Sequence, residues 1–186
     1  MVNMYQLWMP IVLSSILIFF ASSLIWMALK YHKNDVTGLP DEAAIVDAMR
    51  KQKLAPGQYA IPWHADMAAM KSPEFQKKMA DGPVALITVR APGNAGMGPM
   101  LGKWFVYLLV ISSVVAYVTG RTMTAGGSYL AVFRVAGTVA FLGYGGAHAI
   151  YAIFWGRPWS VVWRDIFDSL LYGCLTAGAF GWLWPR

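Results

Sequence analysis

YLAVFRVAGTVAFLGYGGAHAIYAIFWG (129–156) is the stretch that decides how this chain folds. It is longer than the roughly 20 residues with which an α-helix crosses the hydrocarbon of a bilayer. It holds one guanidinium, Arg134, and one imidazole, His148, in a run that is otherwise almost wholly apolar. Its small residues form two stripes at helical spacing: Ala136, Ala140, Gly143 and Ala147, and beside them Gly145, Ala149, Ala152 and Gly156. Gly weakens an isolated helix. In a membrane, however, small residues let a neighbouring backbone come close, so the pattern predicts one continuous packing helix over 129–156.

Working outward, three further runs satisfy the same length test. Residues 7–29 form the first, bounded by Trp8 and Trp26, with Pro10 in the first turn, where its missing N–H costs little. Ser14, Ala21 and Ala28 recur every seven residues along it, with Ser15 and Ser22 alongside. Residues 103–120 form the second, with Ser112, Ala116 and Gly120 at four-residue spacing. After Arg157-Pro158 breaks the third, 158–165 reads as an interfacial segment and 166–184 as the fourth span, with Ser169, Gly173, Ala177 and Gly181 as its seam. The expected fold is an all-α integral membrane protein of four transmembrane helices, with an insertion of about 70 residues between the first two.

That insertion, 31–102, is the polar part of the chain. Pro40-Asp41-Glu42 opens a helix that Arg50, Lys51 and Lys53 close, an order the helix dipole favours. Ser72-Pro73-Glu74 caps a second helix. Residues 58–63 and 83–90 read as extended, the latter through the β-branched alternation of PVALITVR. Residues 91–102, APGNAGMGPMLG, read as a flexible lead into the second span. With few large aliphatic residues this region buries little core of its own.

Composition agrees. Of 186 residues, 58% are hydrophobic and 13% charged, and the mean hydropathy is +0.48, well short of the roughly 25% charged residues of soluble domains. The net charge of +6 is not gathered on one basic face, because all acids except Asp165 and Asp168 share the polar insertion with most of the lysines; nucleic acid is not an expected partner. Cys174 is the sole cysteine, which excludes an internal disulfide and cysteine-ligated clusters. No Lys or Arg precedes the first apolar run, so that run reads as a retained anchor rather than a cleaved signal. Every Trp but Trp63 falls at a predicted span end, as in interfacial belts. Lys30, Lys33, Lys103, Arg157 and Arg164 flank the spans on one side, and Arg121, Arg134 and Arg186 on the other. The positive-inside rule therefore places 31–102 in the cytoplasm and both termini outside.

Few residues suggest chemistry. His148 lies mid-span, where an imidazole could ligate a cofactor, relay a proton or touch a substrate; the plainer reading is a neutral ring bonded across a helix interface. A bis-histidine haem lacks its second intramembrane His. Arg164 and Asp168 are four residues apart, the spacing of a helix-surface ion pair, and Arg134 is expected to snorkel. His64, Met67 and Met70, with Asp66, Met97 and Met100, offer ligand types that copper(I) accepts, at no recognised spacing. GMGPMLGKW (96–104) lacks the first glycine and the Ser/Thr of a phosphate-binding loop. No catalytic set emerges and no cofactor is expected, with lipid, quinone or pigment left open as occupants of the helix grooves.

Several strings resemble a family of uncharacterised bacterial inner-membrane proteins: LPDE (39–42), APGQY (55–59), SPEF (72–75), VFRVAGTVAFLGY (132–144) and TAGAFGWLWPR (176–186). The resemblance implies a multi-pass protein of the bacterial inner membrane, with periplasmic termini in the orientation above, and carries no catalytic residues. The seams on every span, Ala136, Ala140, Gly143, Ala147, Gly173, Ala177 and Gly181 among them, favour a non-catalytic accessory subunit. Its partners would be other integral-membrane subunits, in a bioenergetic or similar complex, together with lipid. The alternatives are a small homo-oligomeric transporter or channel with His148 and Asp168 lining its path, and a membrane enzyme of unknown reaction.

Overall fold

The computed structural model describes residues 1–93 and 96–186. In chain order its elements are α1 (Trp8–Met27), α2 (Glu42–Lys51), β1 (Gly57–Ile61), the single turn α3 (Met67–Met70), α4 (Pro73–Asp81), β2 (Ala85–Val89), α5 (Met97–Thr122), α6 (Tyr129–Gly145), α7 (His148–Trp155) and α8 (Trp159–Trp182). The described chain is mostly helical and divides into two compact units, Met1–Val36 with Ala95–Arg186, and Thr37–Asn94. Three helical stretches are long and apolar enough to cross a membrane: Met4–Met27, Met97–Thr122 and Tyr129–Trp155.

In the helical unit, α8 lies against α1, α6 and α7, and α5 against α1 and α6. Glycines set the approach of α6 to α8. A Cβ added at Gly137 would sit 3.0 Å from Ala177 Cβ, and one at Gly181 would enter the Tyr129 ring at 2.7 Å. Gly173 faces the Gly137 carbonyl oxygen and Phe141, each at 3.3 Å from its would-be Cβ. Ala136 and Ala140 are fully buried in a core that also holds Val115, Val132 and Phe180. Gly143 borders Ile111 of α5, whereas Ala147 is exposed.

Between α1 and α5 the seam is polar. Ser112 Oγ lies 3.0 Å from Ser14 Oγ and 3.2 Å from Ser15 Oγ, and Trp104 Nε1 donates to Ser22 Oγ at 3.0 Å. Ser14, Ser15 and Ser22 also bond carbonyls of α1 itself, so none of these hydroxyls is left bare in apolar surroundings. Both chain ends are tied down: Val2 N–H donates to the Gly120 carbonyl, and Trp184 Nε1 to that of Thr124, each at 2.9 Å.

In the Thr37–Asn94 unit, β1 and β2 pair antiparallel with Tyr59 opposite Ile87. Asp41, Asp66 and Ser72 cap α2, α3 and α4 by accepting from the N–H groups of Ala44, Ala69 and Phe75. These caps matter because Phe75 is the one large side chain of the unit that is buried among the described residues.

Four boundaries differ from the sequence reading. The stretch 129–156 is divided into α6 and α7 by a turn at Gly146-Ala147, where the paired glycines Gly145 and Gly146 lower helix preference although both turn residues keep right-handed helical backbone angles. The segment 158–165, expected at the interface, is the beginning of the unbroken α8. Helix α5 begins at Met97 instead of Lys103: Pro99 falls in its first turn, where no intrahelical N–H is required, and only Asn94 and Ala95 of the expected flexible lead lie outside the described residues. Residues 31–36, expected in the polar insertion, belong to the helical unit, where α8 binds them.

Candidate functional site

The residues that follow α1 form a 3₁₀ turn, Lys30–His32, which brings Tyr31, His32 and Asp35 against the first half of α8. Residues Arg164, Asp165, Asp168 and Ser169 there lie within two helical turns, so two faces of one helix carry the cluster. Asp168, 3% exposed, accepts the Tyr31 hydroxyl on Oδ1, and its Oδ2 lies 2.9 Å from His32 Nε2. His32 Nδ1 lies 2.5 Å from Asp35 Oδ2. Ionised carboxylates only accept, so the doubly protonated ring is the form that donates to both. Trp26 stacks on that ring, with centroids 4.1 Å apart and planes 8° from parallel, the geometry in which an aromatic face attracts a cation. Burial, and then the bond to Asp168, push the Tyr31 phenol above its ordinary range.

Arg164 does not pair with Asp168. Its Nη1 donates to Asp35 and, at 2.9 Å, to the Tyr31 carbonyl. The four-residue spacing places Arg164 and Asp168 on the same flank of α8, but the buried partners in 31–35 outcompete a pair along the helix surface, because they satisfy charges that water does not reach.

Asp165 forms the second half of the cluster. Arg157 Nη2 lies 2.8 Å from Asp165 Oδ2, yet no N–H is aligned on that oxygen, which has no hydrogen-bond donor among the described residues. His148 Nδ1 lies 3.5 Å from the same oxygen and is likewise without a hydrogen-bond partner. The break between α6 and α7 places His148 there. The Asp165 side chain is 6% exposed.

Asp165, Asp168 and His148 line one wall of a cavity of about 910 Å³. The other walls are largely aromatic: Trp26, Trp104, Tyr107, Tyr144 and Tyr172. Such a volume, mainly apolar with a few convergent polar groups, is that of a small-molecule site. One to two helical turns further into the bundle the interior is filled, since Ser14, Ser15, Ser112, Ala140 and Phe180 are all fully buried.

His32, Asp35 and Asp165 each present a ligand atom within 4.8 Å of the others, close enough for a metal ion. The donor set argues against one: His32 is held by two carboxylates, and guanidinium groups sit on both Asp35 and Asp165. The carboxylates of Asp35, Asp165 and Asp168 thus already have Arg164, Arg157 and His32 as partners.

The copper candidates fall in two different units. His64 stacks on Trp63 and meets the edge of Phe75, Asp66 is occupied as a cap, and Met67 is exposed; all belong to the Thr37–Asn94 unit, as does Met70. Met97 and Met100 belong to the helical unit, where both line the cavity. Arg134 is exposed on α6.

Sequence reasoning missed Tyr31, His32 and Asp35, whose partners lie 129 to 137 residues away along the chain. A signal was present: Asp165 and Asp168 are the two acids outside the polar insertion, and carboxylates next to an apolar run require partners. No family model, curated protein or solved structure matches this chain. The fold and site together define a class, a helical protein suited to the membrane, with a cluster of paired buried charges opening onto an aromatic cavity.

Proposed function

We propose that this is a four-span protein of the bacterial inner membrane that binds a small amphipathic molecule in the cavity, with α8 as the fourth span. The observation that carries the reading is the pair of buried polar atoms at the cavity wall, Asp165 Oδ2 and His148 Nδ1, 3.5 Å apart and neither with an aligned hydrogen bond, beside the Arg157 ion pair on Asp165. Buried polar atoms with unfilled hydrogen-bonding capacity are rare in folded proteins, and a ligand's polar head can fill it. The aromatic walls suit the apolar remainder.

Helix α8 has 24 residues and so spans roughly 36 Å at 1.5 Å per residue, enough for a hydrocarbon layer of about 30 Å. The charges that lower its apolarity are paired within the bundle. Lys30, Lys33, Lys103, Arg157 and Arg164 are the span-flanking charges of the cavity end, which the positive-inside rule assigns to the cytoplasm, with the termini periplasmic. The accessory-subunit expectation rested on small-residue seams, and of those residues Ala136, Ala140, Gly173, Ala177 and Gly181 pack within the chain itself, whereas Ala147 is exposed. A channel would require a continuous path, against which the filled interior next to the cavity speaks.

The test is purification from native membranes in mild detergent, followed by native mass spectrometry with release of bound species. One small amphiphile per chain is expected, with lower occupancy in Ser23→Trp, which puts bulk into the cavity wall. Empty wild-type protein, or occupancy indifferent to that substitution, would overturn the reading.

A further inference from the structure

Taking the cavity as a ligand site, we infer that its ligand is a neutral, ring-bearing lipid with a free hydroxyl, of the phenol or hydroquinone type, whose O–H donates to Asp165. This rests on the reading above and adds the chemical class of the occupant. Three observations select it. The acceptor at the wall is a carboxylate oxygen of a side chain only 6% exposed, which holds Arg157 Nη2 at 2.8 Å in an ion pair that is not aligned as a hydrogen bond, so it keeps acceptor capacity that a ligand's donor can fill. The carboxylates of the cluster are each paired, Asp35 with Arg164 and His32, Asp165 with Arg157, and Asp168 with His32, and Lys103 adds a positive charge at the cavity wall. A cationic donor would add a second positive charge beside Lys103, whereas a hydroxyl adds none. Third, flat aromatic side chains, Trp26, Trp104, Tyr144 and Tyr172, line the space, and rings pack on such faces by offset or edge-to-face contact. Of these, Tyr144 and Tyr172 already meet edge to face, 5.8 Å between centroids. His148 Nδ1, 3.5 Å from the Asp165 oxygen, is placed to accept from a second hydroxyl or to hold the first in position.

The experiment is calorimetric titration of the detergent-solubilised full chain, stripped of endogenous lipid, with four probes on a common decyl tail: a hydroquinone, its oxidised quinone, its dimethyl ether and a primary amine. The hydroquinone is expected to bind about 10-fold or more tightly than the quinone and the ether, neither of which can donate, the loss of one hydrogen bond to a charged acceptor. Asp165→Asn presents an amide N–H₂ as well as an acceptor, and is expected to narrow or reverse the preference for hydroquinone over quinone; Tyr117→Phe, on α5 outside this cavity, is expected to leave that preference intact. Equal binding of hydroquinone, quinone and ether would overturn the donor assignment while leaving the cavity reading standing. Tighter binding of the amine would overturn it in favour of a cation site. Failure of all four probes to bind would count against the cavity reading itself. Should Asp165→Asn fail to fold, His148→Gln gives the second comparison: it leaves the Asp165 acceptor in place and is expected to keep the preference for hydroquinone over the ether, and loss of that preference would overturn Asp165 as the acceptor.

Discussion

Asp168 is the residue whose removal should have the most local and most measurable effect. It holds two side chains at once: Oδ1 accepts the Tyr31 hydroxyl, and Oδ2 lies 2.9 Å from His32 Nε2. Asp168→Ala removes both acceptors and leaves His32, 3% exposed at its side chain, with Asp35 alone. Hydrogen bonds to ionised groups contribute about 1.5–3 kcal/mol each, and breaking one side of a buried pair costs about 3–5 kcal/mol, so a loss near 4 kcal/mol is expected. Since about 1.4 kcal/mol is a factor of ten, the opening equilibrium of residues 30–36 should rise by roughly 10³. Hydrogen–deuterium exchange of that segment reads this directly, because the contacts of α6 with α8 do not depend on Asp168 and serve as the internal reference. Asp168→Asn keeps one carbonyl acceptor and should fall between wild type and alanine. Protection of residues 30–36 that changed by less than about 10-fold, or equally in the two variants, would refute the assignment of Asp168 as the clamp on this turn.

Three other outcomes are expected. Tyr31 has its phenol raised above the ordinary value of 10.0, chiefly by burial and then by Asp168, so its contribution to stability is present below pH 10 and is lost as pH climbs through the folded value; the difference in thermal stability between wild type and Tyr31→Phe should therefore shrink above pH 10, and a difference that grew would contradict the bond. Gly173→Leu drives a side chain into the Gly137 carbonyl and Phe141, already 3.3 Å from a bare Cβ, and should destabilise the bundle by about 1–3 kcal/mol or more in denaturant titration, with Gly178→Leu, whose nearest neighbour is the Tyr129 hydroxyl at 3.9 Å, costing clearly less. Cys174 is exposed on α8, so if that helix lies in the bilayer the thiol should resist a membrane-impermeant maleimide in intact vesicles and react with a lipophilic one; rapid labelling by the impermeant reagent would exclude α8 as a span.

What could be read from the sequence was what depends on local pattern. Apolar length located the three stretches that can cross a membrane, and Asp41 and Ser72 announced the starts of α2 and α4 because capping is settled within three residues. The β-branched alternation of 83–90 announced β2, and β1 lies within the other stretch read as extended, apart from Gly57. The site could not be read that way. Tyr31, His32 and Asp35 look like the ordinary polar flank of a span, and nothing within ten residues of them marks a partner at 164–168. Arg164 and Asp168 sit at the spacing of a surface pair, and only the tertiary structure reveals that each faces a different buried group. The break before His148 was obscured for a related reason: Gly145 and Gly146 were legible as a surface for close packing, and the same lack of a side chain that admits Ser169 at Gly145 also removes the preference that would have kept the helix continuous.

The break and the cavity belong to one arrangement. A continuous helix over 129–156 would advance about 100° per residue past Gly145 and carry His148 to a position fixed by that register. The turn over 146–147 keeps right-handed helical angles but lacks regular α-helical bonding, and His148 opens the second segment 3.5 Å from Asp165. On the facing side, Gly145 lets Ser169 come so close that a Cβ would lie 2.9 Å from it, and Ser169 is one turn along α8 from Asp165. The glycines thus do two things within three residues: they draw α8 onto α6 where the bundle is filled, and they release α7 where the cavity begins. Replacing Gly146 with a strong helix former tests that coupling, because a segment made continuous should shift His148 away from Asp165 without opening the contact of Gly137 with Ala177.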